Sequence, residues 1–166
     1  MRSESDCVRA QAEDEGLATS FFGPPYGPLT LEEAKKLIVF QEKLFNEVNF
    51  FSRILKQKWK RNRPFIRSTL IQPCVEPYPS NSYPSGHAAA SKLAALSFSI
   101  LYPELKHALL TRADEIAHNR VLAGVHYPTD VKNGALLGQL VFEAPQKNEA
   151  FMYELMSLER SAVKTH

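Results

Sequence analysis

Apolar residues recur along most of the chain at close to the 3.6-residue period of an amphipathic helix. The longest such stretch follows Thr30 and Glu33, whose spacing is that of a capping box, and it predicts a helix over 31–59. That helix should end before Pro64, since the residue ahead of a proline is pushed out of helical geometry. The apolar positions that we expect to face the core are Leu37, Val39, Phe40, Leu44, Val48, Phe51 and Leu55.

Four further segments after residue 85 carry helix signals. They are 86–102, 103–123, 128–143 and 147–162. Pro103 and Pro128 stand where a helix begins, a position that proline tolerates, and Pro145 follows the end of the third of these segments. No alternation of strand period competes with these signals. The sequence therefore predicts an all-α, single-domain bundle of about five to six helices.

Two segments look irregular. Residues 1–29 have an acidic start, and the prolines within 21–28 exclude a regular helix or a central strand there. Residues 64–85 are punctuated by prolines and contain the turn pair Asn81-Ser82. We therefore divide the chain into an irregular N-terminal lead-in, 1–29, and a helical domain, 30–166.

The composition narrows the class of protein. The chain has 166 residues, of which 44% are hydrophobic and 23% charged. A chain of this length and composition can bury a hydrophobic core that is stable without disulfide bonds. This excludes a disordered chain and a disulfide-rich scaffold. The 20 Lys and Arg residues nearly balance the 18 Asp and Glu residues, for a net charge of +2. A net charge this close to zero gives no indication that the protein binds nucleic acid or an anionic membrane surface.

Membrane spans and secretion signals are not evident. The longest nearly uncharged apolar stretch is 88–102, which Lys92 interrupts, and it is shorter than the roughly 20 residues of a membrane span. The N-terminus lacks the apolar run of a secretory signal, so we expect a cytoplasmic protein, or a periplasmic or secreted one if a signal has been removed. Cys7 and Cys74 match no metal-ligand spacing, and we interpret them as two unpaired thiols, with one disulfide as the alternative.

Three clusters of polar residues carry candidate chemistry. The first is a run of cations with no acidic residue between Glu47 and Glu76 to neutralise it. Its members are Arg53, Lys56, Lys58, Lys60, Arg61, Arg63 and Arg67. It is either the solvated end of the first predicted helix, where cations are favoured, or part of an anion site.

The second cluster is Tyr83-Pro-Ser-Gly-His-Ala88, at a predicted helix start. A helix N-terminus offers free N–H groups and partial positive charge to a phosphate, and Gly86 lets an oxyanion approach the backbone closely. Ser85 can donate a hydrogen bond or cap the helix, and His87 lies in the first turn. The alternative interpretation is an N-cap followed by a surface histidine.

The third cluster runs from Arg120 to Asp130. His126 and Asp130 are four residues apart across a predicted helix start. The carboxylate can accept the imidazole Nδ1–H and leave the other nitrogen free as a nucleophile. Arg120 offers a planar guanidinium that suits phosphate oxygens. Taken alone, a His–Asp pair of this kind can also be purely structural.

The three clusters become informative in combination. In the first, six residues separate Lys56 from Arg63-Pro64. The second is the run Pro84-Ser85-Gly86-His87. In the third, five residues separate Arg120 from His126, and three separate His126 from Asp130. This resembles the three-part signature of the type 2 phosphatidic acid phosphatase superfamily, over about 56–144. Within it the chain is most similar to the soluble bacterial class A non-specific acid phosphatases. The membrane-bound lipid phosphatases carry the same signature on several spans, which this sequence does not show.

The resemblance implies a role for each residue of the signature. His126 would attack phosphorus and form a phosphohistidine, Asp130 would orient it, and His87 would protonate the leaving alcohol. The phosphate oxygens would be held by Lys56, Arg63, Ser85, Gly86 and Arg120. Such a site needs no metal and no other cofactor, and the sequence has no HExxH motif or carboxylate cluster. The implied activity is that of a metal-free acid phosphatase, in 30–166, acting on a small phosphorylated substrate, with lipid phosphates among the candidates.

Two other functions stay open. Vanadium-dependent haloperoxidases resemble this superfamily and bind vanadate in the same anion cradle, and a non-catalytic phospholigand-binding domain would keep the cradle alone. The chain also departs from the family, with Asn119 where a serine is usual and Ala88 where class A enzymes usually have threonine. The apolar helix stripes are compatible with an oligomer interface as well as with a core.

Overall fold

The computed structural model describes residues 2–144, 153 and 155–158. These residues form helices, and their only β-pairing is an isolated bridge between Phe22 and Leu29. The α-helices are α1 (Glu4–Glu15), α2 (Leu31–Trp59), α3 (Pro64–Arg67), α4 (Gly86–Leu101), α5 (Lys106–Leu122) and α6 (Pro128–Glu143). Two 3-10 turns, Leu17–Thr19 and Pro103–Leu105, complete the described part. The predicted all-α bundle is confirmed.

The predicted limits of the long helix are confirmed by α2. Its N-terminus is closed by a reciprocal pair of hydrogen bonds. The Glu33 N–H donates to the Thr30 hydroxyl at 3.2 Å, and the Thr30 N–H donates to Glu33 Oε2 at 2.6 Å. At the other end Lys60 adopts a left-handed φ of 46°, which turns the chain out of the helix.

The core-facing stripe of α2 is narrower than predicted. Its buried apolar residues are Leu37, Phe40, Leu44 and Val48. Val39 and Phe51, which we expected in the core, are 60% and 41% exposed. The buried row continues from Val48 to Ser52, four residues on, so Phe51 falls to one side of it.

α4 lies at the centre of the bundle, packed against α5, α6 and α2. Two glycines of α6 permit a close approach to it. A Cβ on Gly134 would collide with the Ser85 carbonyl oxygen, and a Cβ on Gly138 would collide with that of Ala89. The Ser85 N–H also donates to the backbone carbonyl of Asp130 at 3.0 Å. The second and third sequence clusters are thereby brought together at one end of the bundle.

The N-terminal segment is not irregular throughout, which corrects the prediction for 1–29. α1 begins after Ser3, whose hydroxyl accepts from the Asp6 N–H while the Asp6 carboxylate accepts from the Ser3 N–H. The helix packs against α5. The prediction failed because α1 is polar, so no apolar period marks it. Its capping box was the available signal.

The remaining elements follow the prediction with small differences. The predicted loop 64–85 opens with the four-residue helix α3, and Pro103 begins a 3-10 turn ahead of α5 rather than α5 itself. The predicted helix over 147–162 lies mostly outside the described residues. Within the part of that segment that is described, Leu155 is buried in the core. In the described part of the chain, no helix is long and apolar enough to cross a membrane.

Cys7 and Cys74 form a disulfide, with their Cα atoms 5.7 Å apart, so the interpretation as two unpaired thiols is wrong. The bond joins α1 to the segment between α3 and α4. Gln11 Nε2 donates to the Cys74 carbonyl at 2.8 Å, and Arg2 Nη1 donates to that of Gln72 at 2.9 Å, so polar contacts hold the same two segments together. The cysteines are 67 residues apart in sequence, and only the packing of α1 against this segment brings them into range.

Candidate active site

A pocket of about 330 Å³ opens at the N-terminal end of α4. Its lining residues are Asp14, Leu17, Phe45, Asn49, Lys56, Arg63, Tyr78, Ser80, Gly86, His87, Ala90, Arg120, Val125 and His126. Six of the eight residues that the sequence assigned to a phosphate site are among them. They come from segments far apart in the chain, so the fold brings the three motifs to one place.

His126 lies in the turn between α5 and α6 and is 5% exposed. Gly124 makes this turn possible with a φ of +76°, a left-handed conformation that favours glycine. The His126 Nδ1 is 3.4 Å from Asp130 Oδ2, close enough for an ion pair but without the alignment of a full hydrogen bond. Its Nε2 is 3.4 Å from Arg63 Nη1. A carboxylate therefore lies against one ring nitrogen and a cation against the other.

Asp130 is fully buried behind His126 and is held from several sides. Its Oδ2 accepts from the Ser82 hydroxyl at 2.5 Å and from the Tyr127 N–H at 2.9 Å, and its Oδ1 accepts from Arg61 Nη1 at 2.7 Å. Burial by itself raises the pKa of this carboxyl, but contacts with His126, Ser82 and Tyr127 outweigh it and hold the pKa below its ordinary value. The carboxylate therefore stays ionised and can stabilise a charged imidazole.

The protonation state of His126 follows from its surroundings. Burial lowers the pKa of His126 to about 4, and only Asp130 acts strongly in the opposite direction. Arg63 and Lys56 lower the pKa further by charge repulsion. The imidazole is therefore neutral at neutral and mildly acidic pH. Asp130 favours the tautomer with the proton on Nδ1, which leaves the lone pair on Nε2, facing Arg63 Nη1 at 3.4 Å. A neutral imidazole in this tautomer can act as a nucleophile.

Lys56 and Arg63 contribute two positive charges to the pocket. Lys56 Nζ donates to the Asn81 carbonyl at 2.6 Å. Arg63 donates to the Ser80 carbonyl at 2.8 Å and to the Val125 carbonyl at 3.0 Å. Burial, with repulsion from Arg63, lowers the pKa of Lys56 to about 8, so it remains mostly charged at pH 7. Because backbone carbonyls fix both side chains, their charges remain available to an anion.

Arg120 is fully buried in α5 and meets the acidic end of α1. Its Nη1 donates to Asp14 Oδ1 at 2.6 Å. Its Nη2 donates to the Ala10 carbonyl and lies 3.7 Å from Glu13 Oε2. Its Nε has no hydrogen-bond partner among the described residues, and each Nη carries a second N–H, so the guanidinium keeps donors for an anion.

His87 lies in the first turn of α4, with 17% of its side chain exposed. Its Nε2 is 3.4 Å from Asp14 Oδ1, and its ring centre is 6.3 Å from that of Tyr78. Burial lowers the pKa of His87 well below its ordinary value of 6.5, and the surrounding cations, Arg120 first among them, act in the same direction. A bound anion would counter those cations and raise this pKa again.

The other residues of the second motif have separate places. Gly86 lines the pocket in the first turn of α4, where helix N–H groups have no intrahelical partner. Ser85 is fully buried and does not line the pocket. Its hydroxyl accepts from the Ala88 N–H at 3.3 Å, so it serves as the N-cap of α4.

Several pocket residues carried no sequence signal that we recognised. They include Asp14, Asn49 and Tyr78. Asp14 matters most, because it contacts both Arg120 and His87. The adjacent acids that end α1 were visible, but nothing local shows that a polar helix turns them towards the bundle.

Asn119, which stands where the family usually has serine, faces α1. Its Nδ2 donates to both carboxylate oxygens of Glu13 at 3.0 Å. Glu13 is 2% exposed and also lies 2.8 Å from Arg112 Nη2. The departure from the family pattern therefore serves the attachment of α1 to α5.

The chemical character of the pocket is that of an anion site. Within the residues that the structure describes, no three His, Cys, Asp or Glu side chains are grouped so as to hold a metal ion. Lys56, Arg63 and Arg120 instead surround a neutral imidazole beside a helix N-terminus. This arrangement suits a compact anion such as a phosphoryl group.

Comparison with known proteins points the same way. The model of the PAP2 superfamily matches residues 45–144, a range that contains all three motifs. A non-specific acid phosphatase from Salmonella typhi is 35% identical over 106 residues, covering 60% of this chain and 42% of the relative. A non-specific acid phosphatase from Providencia stuartii is 25% identical over 159 residues, covering 93% of this chain and 64% of the relative. The chain thus spans less than two thirds of the length of either relative.

A solved structure supports the fold. The transmembrane PAP2-type phosphatidylglycerolphosphate phosphatase from Bacillus subtilis superposes with a TM-score of 0.51 at 21% sequence identity. The match covers 87% of this chain and 74% of the other. At this identity the likeness concerns the arrangement of helices.

Proposed function

Since the chain belongs to the PAP2 superfamily, we propose that it is a phosphatase that hydrolyses phosphate monoesters without a metal ion, through a phosphohistidine on His126. The observation that carries this proposal is the orientation of the His126 ring. Nδ1 lies against the ionised Asp130, and Nε2 lies against Arg63 at the pocket wall. A neutral imidazole is thus positioned to attack an anion that the cations hold.

In the first step Nε2 of His126 forms a bond to phosphorus as the ester P–O bond breaks. The imidazole becomes positively charged when it is phosphorylated. Asp130, which is ionised and 3.4 Å from Nδ1, stabilises that charge. Water then attacks phosphorus, the P–N bond breaks, and inorganic phosphate leaves with His126 neutral again.

The non-bridging oxygens are held by Lys56, Arg63, the Nε of Arg120 and the N–H of Gly86. Negative charge spreads over these oxygens in the transition state, so cations fixed before the reaction stabilise it without reorganisation. For Ser85 we propose an indirect role. Its hydroxyl oxygen accepts from the Ala88 N–H and the residue does not line the pocket, so it shapes the helix start that presents Gly86.

His87 is the proton donor to the leaving alcohol and then the base that activates water. The leaving oxygen takes a proton from the imidazolium, and the neutral ring later accepts one from the attacking water. Burial and nearby cations keep the pKa of His87 low before a substrate binds. A phosphate ester brings negative charge beside those cations, which favours the protonated ring when the substrate binds.

The substrate class that we propose is a small phosphate monoester. The non-specific acid phosphatases among the relatives support this choice, and the pocket volume of about 330 Å³ suits a phosphoryl group with a modest leaving group. A lipid phosphate is the second candidate, supported by a lipid A 1-phosphatase from Rhizobium etli that is 35% identical over 57 residues, 34% of this chain. Assaying a panel of small phosphate monoesters and lipid phosphates distinguishes the two candidate substrate classes.

The disulfide between Cys7 and Cys74 favours an oxidising compartment for this protein. Disulfides persist in the periplasm or outside the cell and are rare in the reducing cytosol. We therefore propose the periplasm or the extracellular space, the alternative to the cytoplasm that the sequence left open, as its compartment. Alkylation of free thiols in intact cells tests this, because a cytoplasmic protein would be labelled at both cysteines.

The test of the activity compares the wild type with His126→Ala, using p-nitrophenyl phosphate in the presence of EDTA between pH 4 and 8. His107→Ala is the matched control, because His107 is exposed on the outside of α5. We expect hydrolysis that survives EDTA and persists in His107→Ala. We expect its loss in His126→Ala, by several orders of magnitude.

The covalent intermediate needs its own measurement. Rapid quenching at alkaline pH, followed by mass spectrometry, should find the phosphoryl group on the peptide that contains His126. Full activity in His126→Ala would overturn the phosphohistidine mechanism, and loss of activity on chelation would overturn its independence of metal. Peroxide-dependent bromination with added vanadate would favour the haloperoxidase alternative instead.

A further inference from the structure

Asp14 is a buried acid in the pocket that the PAP2 signature does not include. It lies at the C-terminal end of α1, with 10% of its side chain exposed. One of its oxygens, Oδ1, is shared between Arg120 Nη1 at 2.6 Å and His87 Nε2 at 3.4 Å. The Tyr78 hydroxyl donates to the other oxygen, Oδ2, at 3.3 Å. The carboxylate thus links the cation and the histidine that the proposed reaction uses.

The position of Asp14 is fixed by the packing of α1. The neighbouring Glu13 is buried against Arg112 at 2.8 Å and accepts both hydrogen bonds from Asn119. At the other end of the helix, Cys7 is bonded to Cys74. A carboxylate held in this way keeps its geometry without the entropy cost that weakens exposed ion pairs.

The charges around His87 explain why an acid beside it matters. Arg120, Arg63 and Lys56 face the ring and oppose its protonation, and His126 is a further titratable group on the same side. Tyr78 packs against the ring as an uncharged neighbour. Among the charged groups that the described residues place at this imidazole, Asp14 is the one whose sign favours the imidazolium.

We propose that Asp14 is a positioning residue for the acid step, holding the Nε2–H of the His87 imidazolium while it clamps Arg120. This inference rests on the proposed phosphatase function and deepens it. Because Nε2 is held by Asp14, Nδ1 is the nitrogen that gives its proton to the leaving oxygen. That proton moves from Nδ1 to the alkoxide as the P–O bond breaks. The proton on Nε2 stays on the ring, which becomes a neutral imidazole held by Asp14.

The pKa of Asp14 is compatible with this role. Burial raises it above its ordinary value, while Arg120 and Tyr78 lower it. The carboxyl therefore takes up a proton at a higher pH than an exposed aspartate does, and the contact with Arg120 limits that rise.

The test compares two substrates in each variant. p-Nitrophenyl phosphate has a good leaving group that needs little protonation, whereas glycerol phosphate has an alkoxide leaving group that needs a proton. We expect Asp14→Asn to lower kcat for glycerol phosphate at least about 10-fold, a modest part of the ~10² to 10⁴-fold that a general acid supplies. The fall with p-nitrophenyl phosphate should be several-fold smaller.

Two further variants sharpen the result. Glu15→Gln, one residue along at the exposed end of α1, is the matched control and should leave both substrates unaffected. In the background of His87→Ala, adding Asp14→Asn should cause the same small further loss on both substrates, since only the contact with Arg120 is left to remove. The ratio of the two activities is measured within one preparation, so partial unfolding of a variant does not change it.

Several results would overturn the inference. An equal fall on both substrates would show that Asp14 acts through Arg120 or the fold alone. A rise in activity would show that the carboxylate competes with substrate for the cations. Wild-type hydrolysis that does not depend on His126 would contradict the proposed function itself, and that outcome is read from His126→Ala independently of any Asp14 variant.

Discussion

Arg61 Nη1 lies 2.7 Å from Oδ1 of Asp130, so this cation contacts the carboxylate behind His126 and does not line the pocket. Arg63, two residues on, lines the pocket and contacts His126 Nε2. The guanidinium of Arg61 also stacks on the ring of Tyr127 at 4.0 Å, which fixes its place. Two nearby cations of one run therefore lie on opposite sides of the His126 ring. Arg61 contacts the carboxylate beside Nδ1, and Arg63 contacts Nε2.

The contact predicts a kinetic effect for Arg61→Gln. Without this cation the Asp130 carboxylate is held less firmly and stabilises the phosphorylated imidazole less well. We expect kcat to fall by about 10-fold with KM nearly unchanged, since an interaction made in the transition state is lost while phosphate binding is kept. Lys60→Gln, at the neighbouring exposed position, is the control and should behave as wild type. A rise in KM alone would show that Arg61 binds phosphate.

The pKa values predict an acid optimum. The pKa of His126 is lowered to about 4, so as the pH falls through 4 this proposed nucleophile becomes protonated and we expect kcat/KM to fall. The pKa of His87 lies well below 6.5 in the free enzyme, so as the pH rises its proton is lost and kcat/KM falls again. The maximum of kcat/KM should lie below pH 6.5. A profile that keeps rising to pH 8 would contradict the assigned protonation states.

Lys56 predicts a change in anion affinity on the alkaline side. Its pKa is lowered to about 8, so as the pH rises through that value the side chain loses its charge and the pocket loses one of its cations. We expect inhibition by inorganic phosphate to weaken between pH 7 and 9. In Lys56→Arg the charge persists, so the weakening should be absent or much smaller. The same dependence in both proteins would exclude Lys56 as its source.

The disulfide predicts a coupled loss of stability and activity. Replacing both cysteines, in Cys7→Ser/Cys74→Ser, releases the link between α1 and the segment before α4. We expect the free energy of unfolding to fall by about 2–4 kcal/mol, chiefly because the unfolded chain gains freedom. Hydrolysis of glycerol phosphate should fall more than that of p-nitrophenyl phosphate, since α1 carries Asp14.

Both measurements have a simple control in the wild type. Treatment with a reducing agent should reproduce the behaviour of the double variant, and reoxidation should reverse it. An unchanged unfolding midpoint in denaturant, with the same slope, would show that the disulfide contributes nothing to stability.

Local sequence signals account well for the elements that have them. Thr30 and Glu33 define the start of α2, and Pro128 defines that of α6, because caps and proline positions depend on a few neighbouring residues. The signature itself could be read in the same way, since its spacing places His126 and Asp130 one helical turn apart. α1 was not predicted, because a polar helix has no apolar period, although the Ser3–Asp6 capping box was present in the sequence.

The sequence by itself determined the helix class, the limits of the main helices and the three motifs that the fold brings to one pocket. Tertiary structure alone decided the contacts of Asp14 with His87 and Arg120 and the pairing of Cys7 with Cys74. It also decided that Arg61 contacts Asp130 whereas Arg63 contacts His126 Nε2. The reason is physical: these partners lie more than 60 positions apart, or their side chains are directed by neighbouring helices. Period and capping are local properties, whereas such contacts exist only once α1, α4 and α5 have packed.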